Sequence, residues 1–283
     1  MYKEKENCIF ISANKSFLPL LKMCLSSISE NYPNHPDIIL CHTDFTESDL
    51  HGIAKITDRV IPIPNILETY GIWPIMAHLP RDIDPSVFYA RFLIRKWWIF
   101  NNYNNVLHLD ADTLVMKDLS HLMDDNRFYI VEDVYVGDDN IFRNKYDSQL
   151  LKKLTDDSIV IGNKACNGWI FLVPFKYRTK KYYDDIMYLL WSYSNHIKRA
   201  DQSILNIWLY RNNITIQKDF KYNFQHRLLL NPLNDKILRN AHIIHFNGVP
   251  ERYRAICMRI FLELTKDVEY IVEYRKYYNT LDK

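Results

Sequence analysis

Apolar residues along this chain follow two rhythms: short unbroken runs, and longer stretches where they recur every three or four positions. Cys8-Ile9-Phe10-Ile11-Ser12-Ala13 is of the first kind and reads as a buried strand. Phe17, Leu20, Leu21, Cys24, Leu25 and Ile28 follow at helical spacing. Asp37 to Cys41 is a second strand, a helix opens near Thr46 and Glu47, and Arg59 to Ile63 is a third strand. Strand, helix, strand, helix at this spacing predicts a parallel sheet with right-handed crossovers. Residues 64–85 are rich in proline with scattered aromatics, the kind of long loop that covers a site. Pro85 to Phe100 returns to helical period, with Arg91 and Arg95 at i, i+4. Further strands are predicted at Asn105 to Leu109, Phe128 to Asp133, Cys166 to Val173 and Ala241 to Gly248. Residues 137–158 read as a polar loop with a helix, and two more helices run from Thr179 to Tyr193 and from Arg199 through Asn206. The last stretch, about Ala255 to Tyr278, reads as one amphipathic helix. The expected fold is α/β: a mostly parallel mixed sheet flanked by helices over residues 1–254, with a C-terminal helical tail over 255–283.

Composition narrows the functional classes. A chain of 283 residues is long enough to bury a full core. A formal charge of +2 and the lack of a basic stripe argue against nucleic acid as a partner. The five cysteines are odd in number, widely spaced and without a CxxC pair, so structural zinc is not expected. They read as small buried hydrophobes of a reducing compartment. No signal-peptide core and no long apolar span is visible, which predicts a cytoplasmic protein.

The chemistry concentrates in Val106-Leu107-His108-Leu109-Asp110-Ala111-Asp112-Thr113-Leu114-Val115. An apolar run ends in two carboxylates one residue apart, and a second apolar run follows. Residues i and i+2 of a strand project to the same side, so Asp110 and Asp112 could reach one cation at the rim where open α/β sheets place ligands. Two neighbouring carboxylates repel and lose hydration unless something compensates, and a divalent metal does so. Other strand ends carry polar punctuation at Asp133, Asn167-Gly168 and His245. Two carboxylates and an imidazole suit Mn²⁺ better than an all-oxygen Mg²⁺ site. Arg91, Arg252 and Arg254 could assist with phosphate charge. Taken singly, each residue also has a plainer reading. His245 would be a satisfied strand-end histidine, Asp201 a helix N-cap, Asn167-Gly168 a turn, Asp133 a loop cap, and Arg91 part of a solvated helix face.

In their order, these pieces resemble the family 8 glycosyltransferases of the Rossmann-like GT-A fold, the retaining galactosyl- and glucosyltransferases related to glycogenin and to bacterial lipopolysaccharide transferases. The resemblance rests on the first strand running into Asn14, Phe88-Tyr89-Ala90-Arg91-Phe92, Leu107-His108-Leu109-Asp110-Ala111-Asp112, Asn167-Gly168, Asp201-Gln202-Ser203-Ile204-Leu205-Asn206 and His245-Phe246-Asn247-Gly248. It covers the chain from about residue 8 to 252. It implies Asp110, Asp112 and His245 as ligands of Mn²⁺, with Mg²⁺ as the substitute ion. It implies a UDP-sugar donor lined by Ser12, Ala13, Asn14, Phe17, Arg91, Asp110, Ala111, Asp112, Asn247, Gly248 and Arg252. Asn14 would lie by the base, and Asp133, Asn167, Asp201 and Gln202 by the transferred sugar and reaction centre. The reaction implied moves a hexose, galactose or glucose, from UDP to a hydroxyl of a glycan, glycolipid or protein-linked acceptor with retention.

Two departures stand out. The family motif continues to a diphosphate-binding lysine, whereas here Val249-Pro250-Glu251-Arg252 follows, so Arg252 or Arg254 is expected to substitute. Relatives often carry Asp where Asn14 stands. The competing readings are a sugar-nucleotide-binding protein without turnover and a sugar nucleotidyltransferase. The latter normally has a Gly-rich loop after the first strand, and Ser12-Ala13-Asn14-Lys15-Ser16 has no glycine. In the tail, Arg259, Lys266, Arg275 and Lys276 with Tyr270, Tyr274, Tyr277 and Tyr278 could rest on the inner face of an anionic membrane, while a packing helix or a homodimer contact is the favoured alternative.

Overall fold

The computed structural model describes residues 6–64, 102–134, 141–162, 164–198, 200–264 and 270–281. The loop expected over 64–85 and the helix expected from Pro85 to Phe100, Arg91 included, lie almost wholly outside these residues.

The main sheet runs in the order β3-β2-β1-β4-β7-β6. Its strands are β1 (Glu6–Ala13), β2 (Asp37–His42), β3 (Val60–Pro64), β4 (Tyr103–Asp110), β6 (Tyr129–Glu132) and β7 (Cys166–Pro174). β1, β2, β3 and β4 are mutually parallel. β7 runs antiparallel to both β4 and β6, so the sheet is mixed, with one reversed strand near its edge. The apolar runs of β1 and β4 are continuous because both faces of these central strands are covered. Alternate residues separate cleanly: Phe10 and Val106 share a cluster with the helices α3 (Ser148–Asp156), α4 (Lys180–Tyr193) and α5 (Ala200–Arg211), through residues such as Leu150, Ile186, Leu190 and Trp208. Ile9, Ile11, Leu107 and Leu109 face α1 (Leu18–Asn31), through Leu21, Leu25 and Ile28. The sharp start of α2 (Glu47–Ala54) is a reciprocal capping box between Thr46 and Asp49.

A second, three-stranded sheet has the order β5-β9-β8, from β5 (Thr113–Val115), β8 (Phe224–Gln225) and β9 (Ile243–His245). β5 pairs antiparallel with β9, setting Thr113 opposite His245. β8 pairs parallel with β9, setting Gln225 opposite the same histidine. His245 thus ends a strand of this small sheet, between β5 and β8, and not of the main one.

The tail is described as two helices, α6 (Glu251–Leu264) and α7 (Tyr270–Thr280), where the periodicity suggested one. They close a third apolar cluster, in which Leu114, Ile244 and Phe246 meet Cys257, Met258, Phe261 and Tyr274. Tyr274 and Tyr278 are buried and Arg275 is 9% exposed. Arg275 Nε donates to Leu229 O at 2.7 Å, and its guanidinium pairs with Asp235. These three residues therefore fasten the tail to the domain and are not available to a membrane surface, a correction to that reading of the face. Among the described residues no helix is long and apolar enough to cross a membrane. All five cysteines are buried and none is in a disulfide.

Candidate active site

β4 carries its apolar run to Leu109 and stops at Asp110, which lies beside Ser12 of β1 in register. The turn that follows is tightly held. Thr113 Oγ1 donates to Asp110 O at 2.7 Å, and Phe246 N donates to Asp112 O at 3.0 Å. The second bond extends the β5–β9 pairing and brings residues from two distant parts of the chain together. Asp112 is 5% exposed and His245 is 1% exposed, so these two groups are held at the floor of the rim.

His245 Nε2 lies 3.2 Å from Asp112 Oδ1 and 3.9 Å from Asp110 Oδ2. One ligand atom from each of Asp110, Asp112 and His245 falls within 4.8 Å of the others. Nε2 is sealed from water and satisfies no hydrogen bond, while Nδ1 of the same ring is 3.3 Å from Asn223 Oδ1. Arg254 Nη1 lies 3.1 Å from Asp112 Oδ2, and Arg254 Nη2 donates to Val249 O at 3.2 Å. Burial alone would raise the Asp112 pKa, but His245 and then Arg254 hold the carboxyl below its ordinary value. Two carboxylates, one guanidinium and an imidazole nitrogen converge in one pocket. That donor set fits a divalent cation of the mixed oxygen–nitrogen class.

A second polar cluster sits at the start of β7. Because β7 runs antiparallel to β4, its first residues lie at the same rim as the last residues of β4. Gln202 Nε2 donates to Asp133 Oδ2 at 2.8 Å and to Cys166 O at 2.9 Å. Asn206, one turn along α5, accepts from Cys166 N at 2.7 Å. Asp133, Asn167 and Gln202 are all buried. The close approach of helix to strand depends on Gly168: a Cβ there would lie 3.3 Å from both Cα and Cβ of Gln202. Gly168→Ala is therefore expected to push α5 off β7 and to lower the urea unfolding midpoint by an amount equivalent to about 1–3 kcal/mol. An unchanged midpoint would show that the approach is not tight.

Of the other expected residues, Ser12, Ala13 and Ala111 are buried at the rim. Asn14 acts as a cap, its oxygen accepting from Ser16 Oγ at 2.7 Å and from Phe17 N at 3.3 Å. Gly248 has φ 76°, a conformation that glycine adopts without strain. Asn247 Nδ2 donates to Gln225 Oε1 at 3.4 Å. Arg252 is exposed, with its guanidinium 4.7 Å from the Tyr253 ring centroid, and Arg254 meets Asp112. The Asp201 side chain and Arg91 lie outside the described residues. Asn223 and Gln225 were not anticipated. Gln225 joins the β6 end to the turn after His245, donating to Glu132 O at 3.0 Å and accepting from Val134 N at 3.3 Å. The only mark either leaves in the sequence is a polar residue alternating with Tyr222 and Phe224 in an apolar neighbourhood.

The sequence matches the family model described as glycosyl transferase family 8 over residues 8–251. No match was found among curated proteins. Among solved structures, an active-site mutant of LgtC superposes with a TM-score of 0.65 at 17% identity, covering 98% of each chain. The galactosyltransferase LgtC in complex with donor and acceptor sugar analogues gives a TM-score of 0.63 at 17% identity over 98% of each chain. Mouse xyloside xylosyltransferase 1 gives 0.55 at 12% identity, over 86% of this chain and 98% of that one. At these identities the likeness is one of fold.

Proposed function

The chain belongs to glycosyl transferase family 8 and is a glycosyltransferase, and from that premise we propose that it moves a hexose from a UDP-sugar to an acceptor hydroxyl in a Mn²⁺-dependent, retaining reaction. The observation that carries the metal dependence is the convergence of Asp110, Asp112 and the water-sealed Nε2 of His245. Asp110, Asp112 and His245 would hold the ion, which when bound neutralises charge on the departing diphosphate as a Lewis acid and template. Galactose is the first donor sugar to test, because the likeness includes a galactosyltransferase crystallised with donor and acceptor sugar analogues. Glucose is the second.

The chain's own residues account for the rest. Arg254 presents a guanidinium beside Asp112 and is the residue we assign to the diphosphate in place of the family's lysine, since a guanidinium grips phosphate oxygens bidentately. Gln202, held by Asp133 and Cys166 O, forms a rigid amide wall on the side assigned to the transferred sugar. Burial of Asp112, Asp133, Asn167 and Gln202 keeps bulk water away and strengthens each of these interactions. The bond from the anomeric carbon to the UDP oxygen breaks, the acceptor oxygen bonds to the same face, and the acceptor proton passes to the leaving phosphate oxygen. That route requires no strong protein base. The acceptor assigned is a glycan, glycolipid or protein-linked hydroxyl.

A panel of UDP-, GDP- and TDP-sugars, assayed for nucleotide release with Mn²⁺ and water as default acceptor, tests the reading. Slow hydrolysis of one UDP-sugar, lost on adding EDTA, is the expected result. Pyrophosphate release would point to a nucleotidyltransferase, and silence with no nucleotide binding by calorimetry would remove the reading.

A further inference from the structure

Behind His245 lies a line of buried amides that decides which ring nitrogen faces the carboxylates. Asn223 Nδ2 donates to Asn167 Oδ1 at 3.1 Å. That leaves Asn223 Oδ1 turned toward His245 Nδ1, 3.3 Å away. An amide oxygen only accepts, so Nδ1 carries the hydrogen and Nε2 keeps its lone pair toward Asp110 and Asp112. Reversing the amides would place the hydrogen on Nε2, where Asp112 Oδ1 at 3.2 Å would take it and leave nothing for an ion. The line is rigidly mounted. Asn223 and Asn167 are both fully buried, Asn223 N donates to Phe220 O at 3.0 Å, and Gln225 is fixed opposite His245 by the β8–β9 pairing.

We propose that Asn223 is a positioning residue that holds His245 in its Nδ1–H tautomer, and that Asn167 holds Asn223 in the orientation this requires. The proposal rests on the metal reading above and adds to it a second function for Asn167, as the anchor of the imidazole. A ring nitrogen that a metal binds is generally oriented by an acceptor on its other nitrogen, and loss of that partner weakens metal binding.

Two measurements test it. The first reads the tautomer in the unaltered protein, by ¹⁵N NMR of histidine-labelled, metal-free protein at an alkaline pH where the imidazole is neutral. Protonated Nδ1 at His245 is expected, and protonated Nε2 would overturn the assignment. The second reads Mn²⁺ affinity from the EPR signal of the free ion. Asn223→Leu is expected to weaken it by about 10–100-fold. Asn223→Asp, which keeps an acceptor for Nδ1–H but cannot donate to Asn167, is expected to bind Mn²⁺ as the wild type does. Wild-type affinity in Asn223→Leu, or equal weakness in both variants, would overturn the proposal. If the wild type itself binds no Mn²⁺, the metal reading falls and the proposal with it. Mn²⁺ binding with the hydrogen on Nε2 would sink the relay alone.

Discussion

Asp112→Asn should lower Mn²⁺-dependent UDP release by roughly 10³-fold, with little change in fold. The carboxylate it removes lies 3.2 Å from His245 Nε2 and 3.1 Å from Arg254 Nη1, so it is the group on which the imidazole and the guanidinium of the site converge. Metal stabilisation of a developing phosphate charge is worth several kcal/mol. At about 1.4 kcal/mol per decade of rate, losing some 4 kcal/mol of it gives the stated effect. Asparagine has nearly the same shape, and its oxygen still accepts from Arg254, so no guanidinium is stranded. The unfolding midpoint should move by the equivalent of about 1 kcal/mol at most. Initial rates of UDP release, set beside Mn²⁺ titrations of both proteins, measure the effect directly. Undiminished turnover in the variant would remove the metal assignment.

Gln202→Glu should be the most destabilising single change at the site. The amide is 2% exposed, and its nitrogen donates to a carboxylate and to a carbonyl at once. Glutamate would set an oxygen against both acceptors, so either two carboxylates are buried side by side or one takes up a proton. An uncompensated buried charge costs about 3–5 kcal/mol. The sign of the pH dependence follows. Burial and the Asp133 charge raise the folded-state pKa of the new carboxyl above its unfolded value of about 4.3. The variant's deficit is therefore smallest in acid, where the group is protonated in both states, and widens as pH rises toward the folded-state pKa. Urea midpoints of wild type and variant at two pH values, one acidic and one alkaline, test this. A gap that narrowed with rising pH would mean that Gln202 does not lie against Asp133.

What could be read in advance depended on how local the determinant was. The carboxylate pair announced itself because Asp110 and Asp112 interrupt two apolar runs, and a strand's period of two puts them on one side. The direction of β7 left no such mark. Cys166–Pro174 is buried and apolar whichever way it runs, and its reversal is decided by pairing with β4 and β6. Asn167 and Gly168 reach the rim because they begin a reversed strand, whereas a uniformly parallel sheet would have brought strand ends there. The packing of the tail, the favoured reading of its periodicity, also depends on distant partners. Tyr274, Arg275 and Tyr278 read as a basic aromatic face, yet Leu229 O, Asp235 and His226 supply partners that turn them inward. Packing likewise places the Arg254 guanidinium beside Asp112, on a helix that begins at Glu251. Buried amides such as Asn223 and Gln225 are the hardest to foresee, because their partners are supplied by elements far away in sequence.

The pairing of β5 with β9 also orders events during synthesis. Residues 113–115 and 243–245 meet across some 130 positions, so a ribosome must emit most of the chain before the imidazole joins its carboxylates. Closing so long a loop is entropically costly and kinetically late. A nascent chain therefore carries two acids at an open strand end but no third donor, and it should be unable to retain a metal or spend a donor sugar. On the proposed metal reading, the site is complete only once the last short strand has arrived and the two tail helices have packed over it.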